Sequence, residues 1–165
     1  MLGVMWGVAL LNLLAGQRLL AFGIVPRSLD GLIGIPLCPF LHDGMAHLLA
    51  NTVPLAVLGS LVVVRGRQGL GAVSAFIVLL GGVGVWLLAR SSVHVGASGL
   101  VFGYFGYLVA GGWYDRSPSS VGLAVLVIFL YGGLIWGVLP STPRVSWEGH
   151  LFGLLAGILL AKGGK

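Results

Sequence analysis

The chain has 165 residues, of which 58% are hydrophobic and 8% charged, with a formal net charge of +5 at pH 7. A soluble domain carries about 25% charged residues, so this composition excludes an ordinary soluble protein and marks a membrane protein. The nine Lys and Arg are scattered over short loops and ends with no run that could follow a phosphate backbone, which argues against nucleic acid as a partner, and the lone Cys38 gives neither an intramolecular disulfide framework nor a cysteine metal cluster.

The first apolar stretch, residues 2–20, opens on residues 2–17 that have the look of a secretion signal, but no basic segment precedes them and no small-residue cleavage site ends them, since GQRLLAF follows. It is read as the first membrane span. With no cytosolic or periplasmic domain ahead of it, the chain is expected to be nearly all membrane domain, or shortened at its start. A helix crossing the hydrocarbon needs about 20 apolar residues, fewer where its ends are buried in protein. Five further segments qualify: 45–64, 69–89, 96–113, 119–139 and 146–162. Between them RGRQG, RSSVHVG, YDRSPSS and PSTPRVSWEG are rich in polar residues, Gly or Pro. The expected fold is an all-α membrane protein, a single domain over 1–165 built as a bundle of six transmembrane helices.

The long connection between the first two spans, FGIVPRSLDGLIGIPLCPFLHDG, alternates apolar runs with Pro, Gly and charges. It is too broken to span and too apolar to be free in water, so a partly embedded amphipathic loop is expected. Six spans put both termini on one side. That side would hold Arg65, Arg67, Arg116, Lys162 and Lys165 against Arg18, Arg27, Arg90 and Arg144 on the other, a bias toward cytoplasmic termini. Trp6, Trp86, Trp113, Trp136 and Trp147 fall near span ends, where indole rings prefer the interface.

Polar groups inside spans are costly unless they face the interior. They are Asn12, Gln17, Arg18, His47, Asn51, Ser98 and His150. Arg18, at a span end, can reach the headgroups. Spans two, four and six enter from the same face, and His47, Ser98 and His150 each lie in the first turns of their helix. All three therefore sit at similar depth, at helix ends that favour developing negative charge. Gly99, Gly103, Gly106 and Ala110 on the fourth span, and Gly153, Gly157 and Ala161 in line with His150 on the sixth, form small-residue ridges. Two such ridges let backbones approach closely enough for Ser98 to reach His150. The bland reading is ordinary bundle packing.

His47 and Asn51, four residues apart, share a helical face. Together with the Ser98 N–H they could hold an oxyanion, or they could simply bond neighbouring helices. Metal binding by His42, His47, His94 and His150 fits poorly: there is no HExxH, His42 and His47 are five apart, and no carboxylate lies in the spans. His42 and His94 are read as loop histidines that tie the long loop and the 90–96 break to the helices.

Three stretches in order, FLHDGMAHLLAN (40–51), GASG (96–99) and GHLFGLLAG (149–157), resemble the motifs of the rhomboid intramembrane serine proteases. The likeness covers spans two to six. It implies a six-helix rhomboid-like bundle, and an endopeptidase that cuts transmembrane protein substrates in or near their membrane segments, with no cofactor and no metal. By position, Ser98 would be the nucleophile and His150 its general base and later acid. His47 and Asn51 would complete the oxyanion hole, with Gly96, Gly99, Phe102, Gly153 and Gly157 in support. The likeness also implies a water-filled cavity opening away from the cytoplasm, in an integral multi-pass protein of the lipid bilayer, in the plasma or inner membrane. Two features depart from the family pattern. A Trp-Arg pair common in the first loop is replaced by PRSLDG, which leaves that loop's anchor open, and Phe102 stands where Tyr is common, able to stack on His150 without a hydroxyl. Glu148 and Asp43 are poorly placed as a third member for His150, since residues two apart on a helix point away from each other. A catalytically inactive relative that binds transmembrane segments without cutting them is the main rival reading. A small transporter fits less well, because the polar groups crowd one end of the helices and no inverted repeat is visible.

Overall fold

The structure is a computed structural model that describes residues 1–140 and 145–164. Arg144 and Lys165, two charges of the orientation count, lie outside the described residues, as do residues 141–144 of the last loop. Among the described residues seven α-helices follow in order: α1 (Leu2–Leu14), α2 (Gly34–Leu37), α3 (Met45–Arg65), α4 (Leu70–Leu88), α5 (Ser98–Asp115), α6 (Pro118–Tyr131) and α7 (Trp147–Gly163). Among the described residues there is no strand, and an isolated antiparallel bridge pairs Ile24 with His94. All six expected apolar segments are helical over most of their length. By length and composition three are sufficient to cross a membrane: Met45–Arg65, Leu70–Leu88, and Pro118–Val138, where α6 runs on into the 3₁₀ turns Gly132–Val138.

The first helix stops short of the expected residue 20. Gly16 and Gln17 take left-handed φ of 62° and 65°, which an α-helix cannot continue. Buried Asn12 fixes this turn, its amide donating to Gln17 Oε1 at 2.5 Å while its Oδ1 accepts the Leu19 N–H at 3.0 Å. Two polar residues of the first span thus satisfy each other.

The long first loop folds as a run of short turns, Asp30–Ile33, α2 and Cys38–Phe40, with Ile24, Ile35 and Leu41 buried and Leu29 and Ile33 exposed. Its anchor is a different Trp and Arg. Arg27 reaches the end of α4, where the last carbonyls lack intrahelical donors, and donates to Leu87 O at 3.3 Å and Ala89 O at 2.8 Å. Trp86 of α4 donates its indole N–H to Ser28 O at 2.8 Å. Trp86 therefore holds the loop and Trp6 donates to Thr52 Oγ1, whereas Trp113 and Trp136 are exposed as interfacial indoles would be.

Helix α5 is the centre of the molecule: every residue from Leu100 to Leu108 is buried. Its glycines meet those of α7. A Cβ on Gly153 would overlap the Gly99 carbonyl, one on Gly157 would overlap the Gly103 carbonyl, and one on Gly106 would lie 2.5 Å from Leu154 O. Backbone therefore rests on backbone, the close packing that small residues allow where no hydrophobic drive exists between helices in lipid. At the far end, Arg65 of α3 donates to Tyr107 O at 2.7 Å and pairs with the Asp115 side chain of α5 at 2.8 Å, while Ser120 of α6 donates to the same carboxylate. This clamp sets α3 and α5 side by side with matching ends, so their N-termini also share one end.

A larger side chain at the crossing should therefore be costly. Gly157→Val is expected to destabilise the protein by about 1–3 kcal/mol through overpacking, read as a lowered thermal midpoint in detergent. Gly122→Val on α6, where a Cβ meets nothing within 4 Å, should leave that midpoint nearly unchanged. Equal effects of the two would contradict the close approach.

Candidate active site

The first turns of α3, α5 and α7 surround a cavity of about 450 Å³ whose lining includes His47, Asn51, Ser98, Phe102 and His150, together with Asp43, Val95 and Ser146. The polar groups expected at one end of spans two, four and six do meet there. Ser98 also borders a smaller cavity of about 50 Å³ beside Cys38 and Ile35.

Gly96 explains how the chain enters α5. Its φ of 114° lies where an L side chain is strained, and its N–H donates to Cys38 O at 3.0 Å. There is a second reason for glycine: a Cβ would lie 2.6 Å from both Cε1 and Nε2 of His47 and 3.8 Å from the Asn51 amide nitrogen. Gly96 thus seats the His47 ring against the segment that leads to Ser98. Ala97 N–H donates to His42 Nε2 at 3.4 Å. Burial, then the neighbouring His47, lowers the His42 pKa to about 4, so the ring stays neutral and keeps its acceptor. Ser98 begins the helix, where its N–H has no intrahelical acceptor and the helix dipole favours an anion.

His150 is nine-tenths buried, with Phe102 stacked on it at 4.1 Å between ring centres and 5° between planes. Its Nδ1 donates to Gly137 O at 2.8 Å, because a carbonyl can only accept. That bond places the proton on Nδ1 and leaves the Nε2 lone pair to take one. The Gly137 carbonyl does what a carboxylate does for histidine in a triad, without a charge. A Cβ at Gly137 would sit 2.6 Å from Phe102 Cζ and 3.3 Å from His150 Nδ1, so this position too needs glycine. Ser98 Oγ and the His150 ring share the cavity with no direct hydrogen bond between them, and such pairs are often looser without substrate. Asn51 is buried and gives one amide N–H to His47 O at 3.0 Å; an amide has two, so one remains to donate into the cavity.

The loops around the site are tied by a proton-ordered chain. Gly149 N–H donates to Ser146 Oγ at 3.2 Å, Ser146 O–H donates to His94 Nδ1 at 2.6 Å, and His94 Nε2–H donates to Arg90 O at 3.1 Å. Burial lowers the His94 pKa, which keeps the ring in the neutral form this chain requires. Ser146, the N-cap of α7, is committed on both sides. Buried Glu148 faces Arg90 at 3.4 Å and is spent on that loop.

Two groups at the site lie outside the sequence expectations. Gly137 acts through its backbone, and nothing in the sequence marks which carbonyl a distant histidine will meet. Asp43 pairs with His47, Oδ1 to Nδ1, at 2.7 Å. Its spacing of four from His47 is the signal in the sequence that points to this pair.

The family model for the Rhomboid domain matches residues 30–163. An uncharacterized protein of Mycobacterium tuberculosis (strain ATCC 25618 / H37Rv) is 39% identical over 163 residues, 93% of this chain and 68% of that protein. An uncharacterized protein of Mycobacterium leprae is 35% identical over 169 residues, 97% of this chain and 67% of its own. The RHOMBOID-like protein 4 of Arabidopsis thaliana is 32% identical over 131 residues, 74% of this chain and 32% of its own.

Imidazole ¹⁵N NMR should find the neutral His150 proton on Nδ1, the tautomer that the Gly137 carbonyl selects. A proton on Nε2 would show that this carbonyl does not orient the ring.

Proposed function

The chain belongs to the rhomboid family, and from that premise we propose that it is an intramembrane serine endopeptidase acting through Ser98 and His150. The observation that carries the reading is the single cavity lined by Ser98, His150, His47 and Asn51 at the N-terminal ends of three helices. Ser98 Oγ attacks the carbonyl of a peptide bond in or near a transmembrane segment of another protein. His150 Nε2 takes the hydroxyl proton and returns it to the leaving amine, held throughout by the Nδ1–H bond to Gly137 O. The oxyanion that forms is received by the Ser98 N–H at the start of α5, by the second amide N–H of Asn51 and by His47. Water entering the cavity then hydrolyses the acyl-enzyme, with His150 as base.

The same reading makes all six apolar segments a single multi-pass domain over 1–165, short helices included, with the first loop partly embedded beside α4. It puts the termini in the cytoplasm of a plasma or inner membrane and the cavity on the opposite face. The Arg65–Asp115 clamp then faces the cytoplasm, and an ion pair with 4% exposure on each side gains from proximity to water and headgroups there. The rival is a family member that binds transmembrane segments without cutting them, and the missing Ser98–His150 hydrogen bond is what such a protein would display.

A fluorophosphonate probe separates the two. The native protein should label and should cleave a single-span model substrate, whereas Ser98→Ala and His150→Ala should each lose at least about 10³-fold in cleavage rate and lose labelling. Equal cleavage by native and Ser98→Ala would sink the assignment of Ser98. Absence of both labelling and cleavage in a folded native protein would favour the binding-only reading.

A further inference from the structure

His47 has been given one role, a donor to the oxyanion, and its hydrogen bonding sets a condition on that role. The Asp43 carboxylate lies 2.7 Å from Nδ1. An ionised carboxylate only accepts, so the proton in that bond belongs to Nδ1. A neutral ring with its proton on Nδ1 presents a lone pair at Nε2. Nε2 is also the edge packed over Gly96, two residues before Ser98 and beside the Asn51 amide. A lone pair there would repel an oxyanion. Donation from Nε2 therefore needs a second proton and a countercharge for the imidazolium that results.

We propose that Asp43 is a positioning residue for the oxyanion hole: its carboxylate fixes the Nδ1–H of His47 and supplies the countercharge for an imidazolium whose Nε2–H faces the reacting carbonyl. The inference rests on the protease reading for its catalytic consequence, and on geometry alone for the state of the ring. The charged and titratable groups that face His47 are Asp43 on the loop before its own helix, His42 with ring centres 5.0 Å apart, and His150 from α7 across the cavity. Among the described residues lining the cavity, Asp43 is the acidic one, so it is the group there that can balance the charge. The pair sits at the mouth, with side-chain exposures of 30% for His47 and 55% for Asp43, so the second proton can come from water. Gly44 sets the approach. It precedes α3 at φ 129° and ψ 169°, a conformation suited to glycine, and lets Asp43 fold back over the first turn. An acid at a helix N-terminus also stabilises the helix through its dipole. That bland role would not depend on His47, and this dependence is what the test reads.

Asp43→Asn keeps an oxygen to accept from Nδ1–H and removes the charge. With a single-span substrate in detergent, kcat should fall about tenfold, a fraction of the loss seen when an oxyanion donor is deleted, with KM within about twofold. The thermal midpoint should fall by no more than the small loss of one helix-end charge, the same in native and His47→Gln backgrounds, and Asp43→Asn should add no further loss of kcat in a His47→Gln background. Unchanged kcat, an equal loss in the His47→Gln background, or a loss that tracks a lowered midpoint would overturn the proposal. Asp43→Glu, which restores the charge on a longer arm, should recover part of the rate. The ring is followed separately by imidazole ¹⁵N NMR in Ser98→Ala protein, which needs no turnover. With Asp43 present, Nδ1 should carry a proton, and that proton should resonate further downfield than in Asp43→Asn, as a hydrogen bond to a charged acceptor requires; identical shifts would overturn the proposal. If native protein cleaves nothing while the NMR difference is present, it is the protease reading that fails, and the role of Asp43 in the ring stands.

Discussion

The contact between the backbones of α5 and α7 governs the arrangement of everything else. Gly99 lies against Gly149 and Gly153, and Gly103 against Gly153 and Gly157, with no room for a Cβ at Gly153 or Gly157. A serine side chain is short, so on the proposed reading a nucleophile and a base on two separate helices can work together only if those helices nearly touch. The glycine ridges supply that approach. They also place Ser98 and His150 at equivalent points, each in the first turn of its helix, where unpaired N–H groups and the helix dipole favour negative charge.

A second constraint follows from chemistry at the end of a helix. The loops that lead into α3, α5 and α7 are irregular, and buried irregular backbone must find partners for its polar groups. The histidines outside the site meet this need. His42 accepts from Ala97 N–H, and His94 links Ser146 to the Arg90 carbonyl. Both rings have lowered pKa values through burial, so they serve as neutral hydrogen-bonding parts and remain so as the pH falls below the ordinary imidazole range. Arg27 plays the corresponding part for the first loop by capping α4. Four histidines in a short chain therefore divide by environment: two brace loops, and two face the cavity.

Much of this was legible in the sequence because it depends on period and parity. Polar residues at the start of every second span must share a face, and glycines at steps of three and four must form a ridge, whatever the details of the loops. The failures have physical causes. Residues 15–20 read as helix on hydropathy, yet Gly16 and Gln17 break it, and Asn12 satisfies the turn that results. The place of Trp86 near a span end predicts an interfacial ring, but its N–H holds the first loop. Gly137 left no trace, because a backbone carbonyl carries no side-chain signature. The looseness between Ser98 and His150 was also invisible, since ridge spacing fixes which helices meet and not the last ångström between two side chains.

On the proposed reading, Ser98, His150 and the oxyanion donors form a single preorganised site. It is tested most directly by a crystal structure of the protein reacted with a fluorophosphonate. The phosphorus should be bonded to Ser98 Oγ, with the phosphoryl oxygen within about 2.7–3.1 Å of the Ser98 N–H, His47 Nε2 and the Asn51 amide, and with His150 Nδ1 still on the Gly137 carbonyl. A phosphoryl oxygen turned away from those three donors, or an adduct on another residue, would contradict it.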